Sequence, residues 1–141
     1  MKLFGGQDMV SPIKKILVKH PQEAFINQST IKNESLHLNY AGVPDYETAC
    51  SDYENFLQLI NTFEIEVHYL PTHKDTTLDS IYTHDPCVVS DKGIILCNMG
   101  KKDRINEHLY EKDIPNKYKK QIPDYKLTPA KIINIFLNNQ D

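Results

Sequence analysis

Residues 45–71 read DYETACSDYENFLQLINTFEIEVHYLP, and they contain two different hydrophobic periods back to back. Ala49, Tyr53, Phe56, Leu57 and Ile60 recur at three- and four-residue spacing, which predicts a helix with one apolar face. Asp45 is placed to cap it, because its side-chain oxygen can accept an N–H of the first turn. From Ile65 the period shortens to two: Ile65, Val67 and Tyr69 alternate with Glu66 and His68 until Pro71, the pattern of a half-buried strand.

Upstream, residues 13–19, IKKILVK, carry branched and long apolar side chains and end at His20-Pro21, which predicts a first, buried strand. Residues 22–45 contain Asn27, Asn33, Asn39, Gly42 and Pro44 with little apolar periodicity, and are expected to form a long irregular connection. The order strand, helix, strand predicts an α/β fold. Downstream, an extended segment is expected to begin at Ile81. Residues 87–89 and 94–97 flank Ser90-Asp91-Lys92-Gly93 as the arms of a hairpin, with Gly93 able to take a positive φ. From residue 108 onward lysine and asparagine become frequent and prolines recur. Only residues 132–137 read as helical there, with Thr128 and Pro129 as N-cap and first residue.

Composition restricts the class of function. The 141 residues are 40% hydrophobic and 25% charged, within the range of a single globular domain. With 16 basic and 19 acidic residues the formal charge is −3, the wrong sign for a nucleic-acid surface. No run approaches the roughly 18 continuous apolar residues of a membrane span, and the first residues lack a signal-peptide core, so a cytoplasmic protein is expected. Cys50, Cys87 and Cys97 form no CxxC pair and no even disulfide set, and are expected to be free thiols.

The chemistry concentrates in residues 79–107, DSIYTHDPCVVSDKGIILCNMGKKDRINE. Asp79 and Asp85 stand six residues apart, before a basic loop that contains Arg104. A guanidinium is a planar fork of N–H donors, and carboxylates held on a rigid frame fix both its plane and its position. Isolated aspartates at such places commonly serve as turn or cap residues. His84 beside Asp85 offers an acid/base pair. His73, Asp75, Asp79, His84 and Asp85 could also be read as a metal cluster, but neither HxH nor HExxH occurs, and no metal is expected. Cys87 and Cys97 lie in apolar strands, where cysteine behaves as a small hydrophobe, and Cys50 has no histidine at helical spacing to activate it.

Three stretches, residues 5–21, 44–71 and 79–107, together resemble the amino-terminal part of the amidino-hydrolase superfamily of dimethylargininases, arginine deiminases and amidinotransferases, the penteins. The resemblance implies an α/β propeller of five strand-strand-helix-strand blades, of which this chain would supply about two. It also implies a division into residues 1–107, the pentein part, and 108–141, a divergent tail. By the same resemblance Asp79 and Asp85 match guanidinium-binding positions and Arg104 matches a loop arginine that helps hold the substrate carboxylate. His84 stands where dimethylargininases often carry glutamate and deiminases arginine.

The family reaction runs through a cysteine thiolate and a histidine, with no organic cofactor. Neither residue is identifiable here by resemblance, so no catalytic residue is assigned. The expectation is a truncated chain, inactive alone, that recognises arginine or an N-methylated arginine. The alternatives are a small non-catalytic guanidinium-binding or interaction protein, and one chain of a split enzyme. Self-association or a complementary chain is expected to cover the open strand edges.

Overall fold

The computed structural model describes residues 10–90 and 93–110, and these fall into two compact units, one of residues 12–83 and a second made of residues 10–11 with the described residues from 84 onward.

In the first unit, β1 (Lys15–Val18) pairs in parallel with β2 (Glu66–Tyr69), in a register that sets Lys15 opposite Glu66 and Val18 opposite Tyr69. Parallel pairing requires a crossover, and it is made by three helices: α1 (Pro21–Ala24), α2 (Gln28–Ser35) and α3 (Tyr46–Asn61). The register brings Lys15 Nζ to 2.7 Å from Glu66 Oε2, while Glu66 Oε1 lies 2.9 Å from His68 Nε2. The strand-helix-strand order read from the sequence is the one observed.

The helix α3 begins where its sequence places it: the Asp45 side chain accepts the Thr48 backbone N–H at 2.9 Å and the Thr48 hydroxyl at 2.7 Å. Leu57 and Ile60 are buried on its inner face. Phe56 departs from the expected face, being 42% exposed, with its ring edge against Tyr53 at 5.5 Å between centroids.

Residues 22–45 correct the sequence reading. They contain most of α1 and all of α2; of the asparagines taken there for loop residues, Asn33 lies within α2, while Asn27 and Asn39 flank it. Asn27 caps α2 by accepting the Thr30 N–H at 2.9 Å, and Asn39 adopts a positive φ of 65° just beyond the helix. The sequence QSTIKNES has one large apolar residue, Ile31, too few to show a period. Tertiary hydrogen bonds supply the missing support. Gln28 donates to the Pro44 carbonyl at 2.9 Å and accepts the Tyr46 N–H at 2.7 Å, and Glu34 accepts the Leu78 N–H at 3.1 Å.

Ile31 and Leu78, both fully buried, anchor a core with Ala24, Phe25 and Leu38, against which Tyr40, Tyr46, Ala49 and Ile81 pack. Leu78 enters this core from a 3₁₀ turn over Leu78–Ile81, so Ile81 closes a turn rather than beginning an extended segment. Such a turn is too short to leave a hydrophobic period.

The second unit carries the expected hairpin: β3 (Cys87–Ser90) pairs antiparallel with β4 (Gly93–Leu96). The Asp91-Lys92 tip lies outside the described residues. After β4 come a 3₁₀ turn over Lys102–Arg104 and α4 (Glu107–Tyr110). The expected helix over 132–137 lies outside the described residues. Among the described residues no helix is long and apolar enough to cross a membrane.

Candidate functional site

Asp85 stands two residues ahead of the first residue of β3. The next residue, Pro86, is fully buried and its carbonyl accepts the Cys97 N–H at 2.8 Å, so the hairpin hydrogen bonds fix the base from which Asp85 projects. On the other side, Arg104 ends the Lys102–Arg104 turn, its N–H bonded to the Lys101 carbonyl at 3.0 Å. The two side chains meet: Arg104 Nη1 donates to Asp85 Oδ2 at 2.6 Å.

A third residue completes the arrangement. Arg104 Nε lies 3.0 Å from both Glu107 oxygens and Nη2 donates to Oε2 at 2.7 Å, a side-on grip in which both N–H bonds on one edge of the guanidinium face one carboxylate. Burial of Arg104 would by itself lower its pKa, but the hydrogen bonds from Glu107 and Asp85 outweigh that and hold it above the ordinary arginine range. One cation between two carboxylates leaves the triad with a net negative charge.

Exposure differs sharply among the members. The side chains of Glu107 and Arg104 are 4% and 8% exposed, whereas that of Asp85 is 33% exposed. Asp85 is therefore the member that solvent, or a ligand, can reach. His84 is 92% exposed, with Nδ1 at 3.2 Å from Asp85 Oδ1. A contact that open contributes little, since water competes for both groups.

Of the four residues singled out in the sequence, the structure thus brings Asp85, Arg104 and His84 together in the second unit. Asp79 belongs to the first unit, buried within the Leu78–Ile81 turn and not on a strand. Glu107 was missed by the sequence reading, although its i,i+3 spacing from Arg104 across a turn and a helix start is the signal that could have found it.

The remaining candidates are quieter. Cys50, Cys87 and Cys97 are free cysteines, and burial pushes the Cys50 thiol up, away from nucleophilic character. No group of three or more histidine, cysteine or acidic residues that could hold a metal ion occurs among the described residues.

The model of the eukaryotic N,N-dimethylarginine dimethylhydrolases matches residues 20–135. The chain belongs to this family. The resemblance read from residues 5–107 is the correct one, and the matched interval continues past Glu107.

Solved dimethylarginine dimethylaminohydrolases share the fold. One, described as an adduct with 4-chloro-2-hydroxymethylpyridine, superposes with a TM-score of 0.58 at 20% identity, covering 80% of this chain and 42% of that one. A cysteine-to-serine variant from Pseudomonas aeruginosa, complexed with citrulline, gives 0.58 at 20% identity, covering 79% and 41%. A histidine-to-glycine variant, an adduct with S-methyl-L-thiocitrulline, gives 0.58 at 19% identity, covering 78% and 41%. The chain therefore spans about two fifths of the length of the solved relatives it matches. Among curated proteins none matches.

Proposed function

We propose that these residues form the guanidinium-recognising part of a dimethylarginine hydrolase. Asp85 presents a carboxylate to the ligand's guanidinium, Arg104 holds that carboxylate in place, and His84 lines the entrance. In the architecture proposed, the two units correspond to about two blades of a five-bladed pentein propeller. The reaction of the whole enzyme would replace the guanidinium C–N bond to the methylated nitrogen with a bond to water oxygen, releasing an amine and citrulline.

The observation that carries this reading is the position of Asp85, half-open to solvent on a fixed hairpin base and bonded to a buried arginine, in a chain of the dimethylhydrolase family. Citrulline and S-methyl-L-thiocitrulline, named with the solved relatives, support an arginine-shaped ligand. Recognition and hydrolysis are assigned separately. No nucleophilic cysteine and no catalytic histidine are assigned among these residues, and burial raises the Cys50 thiol, so they are proposed to bind and not to hydrolyse. A cytoplasmic location is part of the same proposal.

The test is calorimetric titration of the 141-residue chain with Nω,Nω-dimethyl-L-arginine, beside an assay for citrulline. Saturable binding that Asp85→Asn abolishes, without citrulline release, is the expected result. Binding unchanged by Asp85→Asn would remove that residue from the site, and citrulline release by the chain alone would remove the separation of binding from chemistry.

A further inference from the structure

Arg104 is the only arginine in the sequence, and it is spent on an internal contact with two carboxylates of very different accessibility. We propose that Glu107 is a positioning residue that locks the Arg104 guanidinium so that it holds Asp85 in the orientation a ligand guanidinium requires. This rests on the ligand reading given above.

A guanidinium held through Nη1 alone can pivot about its bonds to the chain. Gripping the Nε and Nη2 edge removes that freedom, because two parallel bonds to one carboxylate define the plane of the group. Glu107 makes that grip at 2.7 Å to Nη2 and 3.0 Å to Nε. The remaining Nη1 is thereby aimed at Asp85 Oδ2, 2.6 Å away. The Oδ2 atom is engaged, and Oδ1, which faces the open His84 ring at 3.2 Å, is the side of the carboxylate proposed to meet a ligand.

The division of exposure fits this assignment. Glu107 is too buried to touch a ligand, so it acts through Arg104, while Asp85 is open enough to make the contact itself. The backbone makes the lock local: Arg104 ends one turn, Glu107 begins α4, and only Ile105 and Asn106 separate them. The grip therefore needs no long-range element to align it. A carboxylate pre-oriented in the free protein loses less freedom when the ligand arrives, which raises affinity without a new contact.

The single arginine gives a direct reading, since every guanidinium signal in a nitrogen-15 spectrum of the full 141-residue chain comes from Arg104. We would follow those signals, with the Nω,Nω-dimethyl-L-arginine dissociation constant, in the native chain, Glu107→Gln and Glu107→Asp. The expected result is a guanidinium already rotationally locked in the ligand-free native protein. Glu107→Gln should then release it and weaken binding by at least about tenfold, with the hairpin amide signals preserved, and Glu107→Asp should recover part of the loss.

A released guanidinium with unchanged affinity would reduce Glu107 to a structural partner and overturn the proposal. If Glu107→Gln does not fold, the native chain decides: an Arg104 that rotates freely until ligand is added overturns the lock, and one fixed beforehand with ligand bound supports it. A native chain that binds no dimethylarginine sinks the ligand reading and this inference together, an outcome distinct from a variant that binds as well as the native chain.

Discussion

Arg104 and Glu107, three positions apart, form a side-on ion pair whose side chains are 8% and 4% exposed. Removing one partner from such a pair leaves the other charge buried without compensation, and that penalty exceeds what the pair itself contributes. Arg104→Met should therefore destabilise the chain by about 3–5 kcal/mol, read from urea unfolding. Asp85→Asn should cost much less, about 1 kcal/mol, because Asp85 is partly hydrated and the amide oxygen can still accept from Nη1. Equal losses for the two variants would contradict the burial gradient on which the site assignment stands.

The helix α2 gives a second pair of expectations. Ile31 is its one large buried anchor, and Leu78 meets it in the core from the Leu78–Ile81 turn. Ile31→Ala and Leu78→Ala should each destabilise by about 2–5 kcal/mol in chemical unfolding. Asn27→Ala, which removes only the cap on Thr30, should cost about 1 kcal/mol, and Asn27→Asp should restore most of it. An effect of Asn27→Ala as large as that of Ile31→Ala would mean that hydrogen bonding, not the core, holds this helix.

These two cases show what could be read from the sequence. The helix α3 and the strand β2 were legible because each carries enough apolar residues to display its own period, and Asp45 marks the helix start. The helix α2 was not, since one isoleucine among QSTIKNES displays no period and its support comes from Gln28 and Glu34 reaching residues far along the chain. Asp79 was recognisable as an acidic residue of interest, but its placement on a 3₁₀ turn depends on Leu78 being drawn into the core. Asp85 and Arg104 were each singled out as ligand contacts. Their bond to one another, and the part Glu107 plays in it, required the hairpin to fold Asp85 back toward the turn that follows β4.

Ile26 has a φ of 63°, in the left-handed region, and its side chain is 48% exposed. A β-branched residue is strained there by roughly 1–2 kcal/mol, and its partial exposure means that little apolar burial offsets the strain. Ile26→Asn should therefore raise stability by about 1 kcal/mol, seen as a higher urea midpoint with an unchanged slope. A lower midpoint would show that the contacts of the isoleucine side chain outweigh its backbone strain.

The Glu23 carboxylate accepts both the backbone N–H and the hydroxyl of Thr72 at 2.6 Å, tying α1 to the chain just beyond β2. Those hydrogen bonds, the hydroxyl first, lower its pKa from the ordinary 4.5, against a smaller opposing effect of burial. Because the folded value lies below the unfolded one, the stabilisation is fully present above pH 4.5 and is lost as the pH falls through the folded value. Thr72→Val removes the hydroxyl and keeps the backbone N–H, so it should cost about 0.5–1 kcal/mol at neutral pH, after allowance for solvent screening of this partly exposed group. The gap between native and variant stabilities should then narrow as the pH drops below 4.5, because a protonated Glu23 no longer offers the ionised acceptor that the hydroxyl stabilises. Paired urea titrations across that range check the sign, and a gap that widens in acid would mean that the Thr72 hydroxyl stabilises the fold through another route, such as its contact with the Glu23 carbonyl at 3.0 Å.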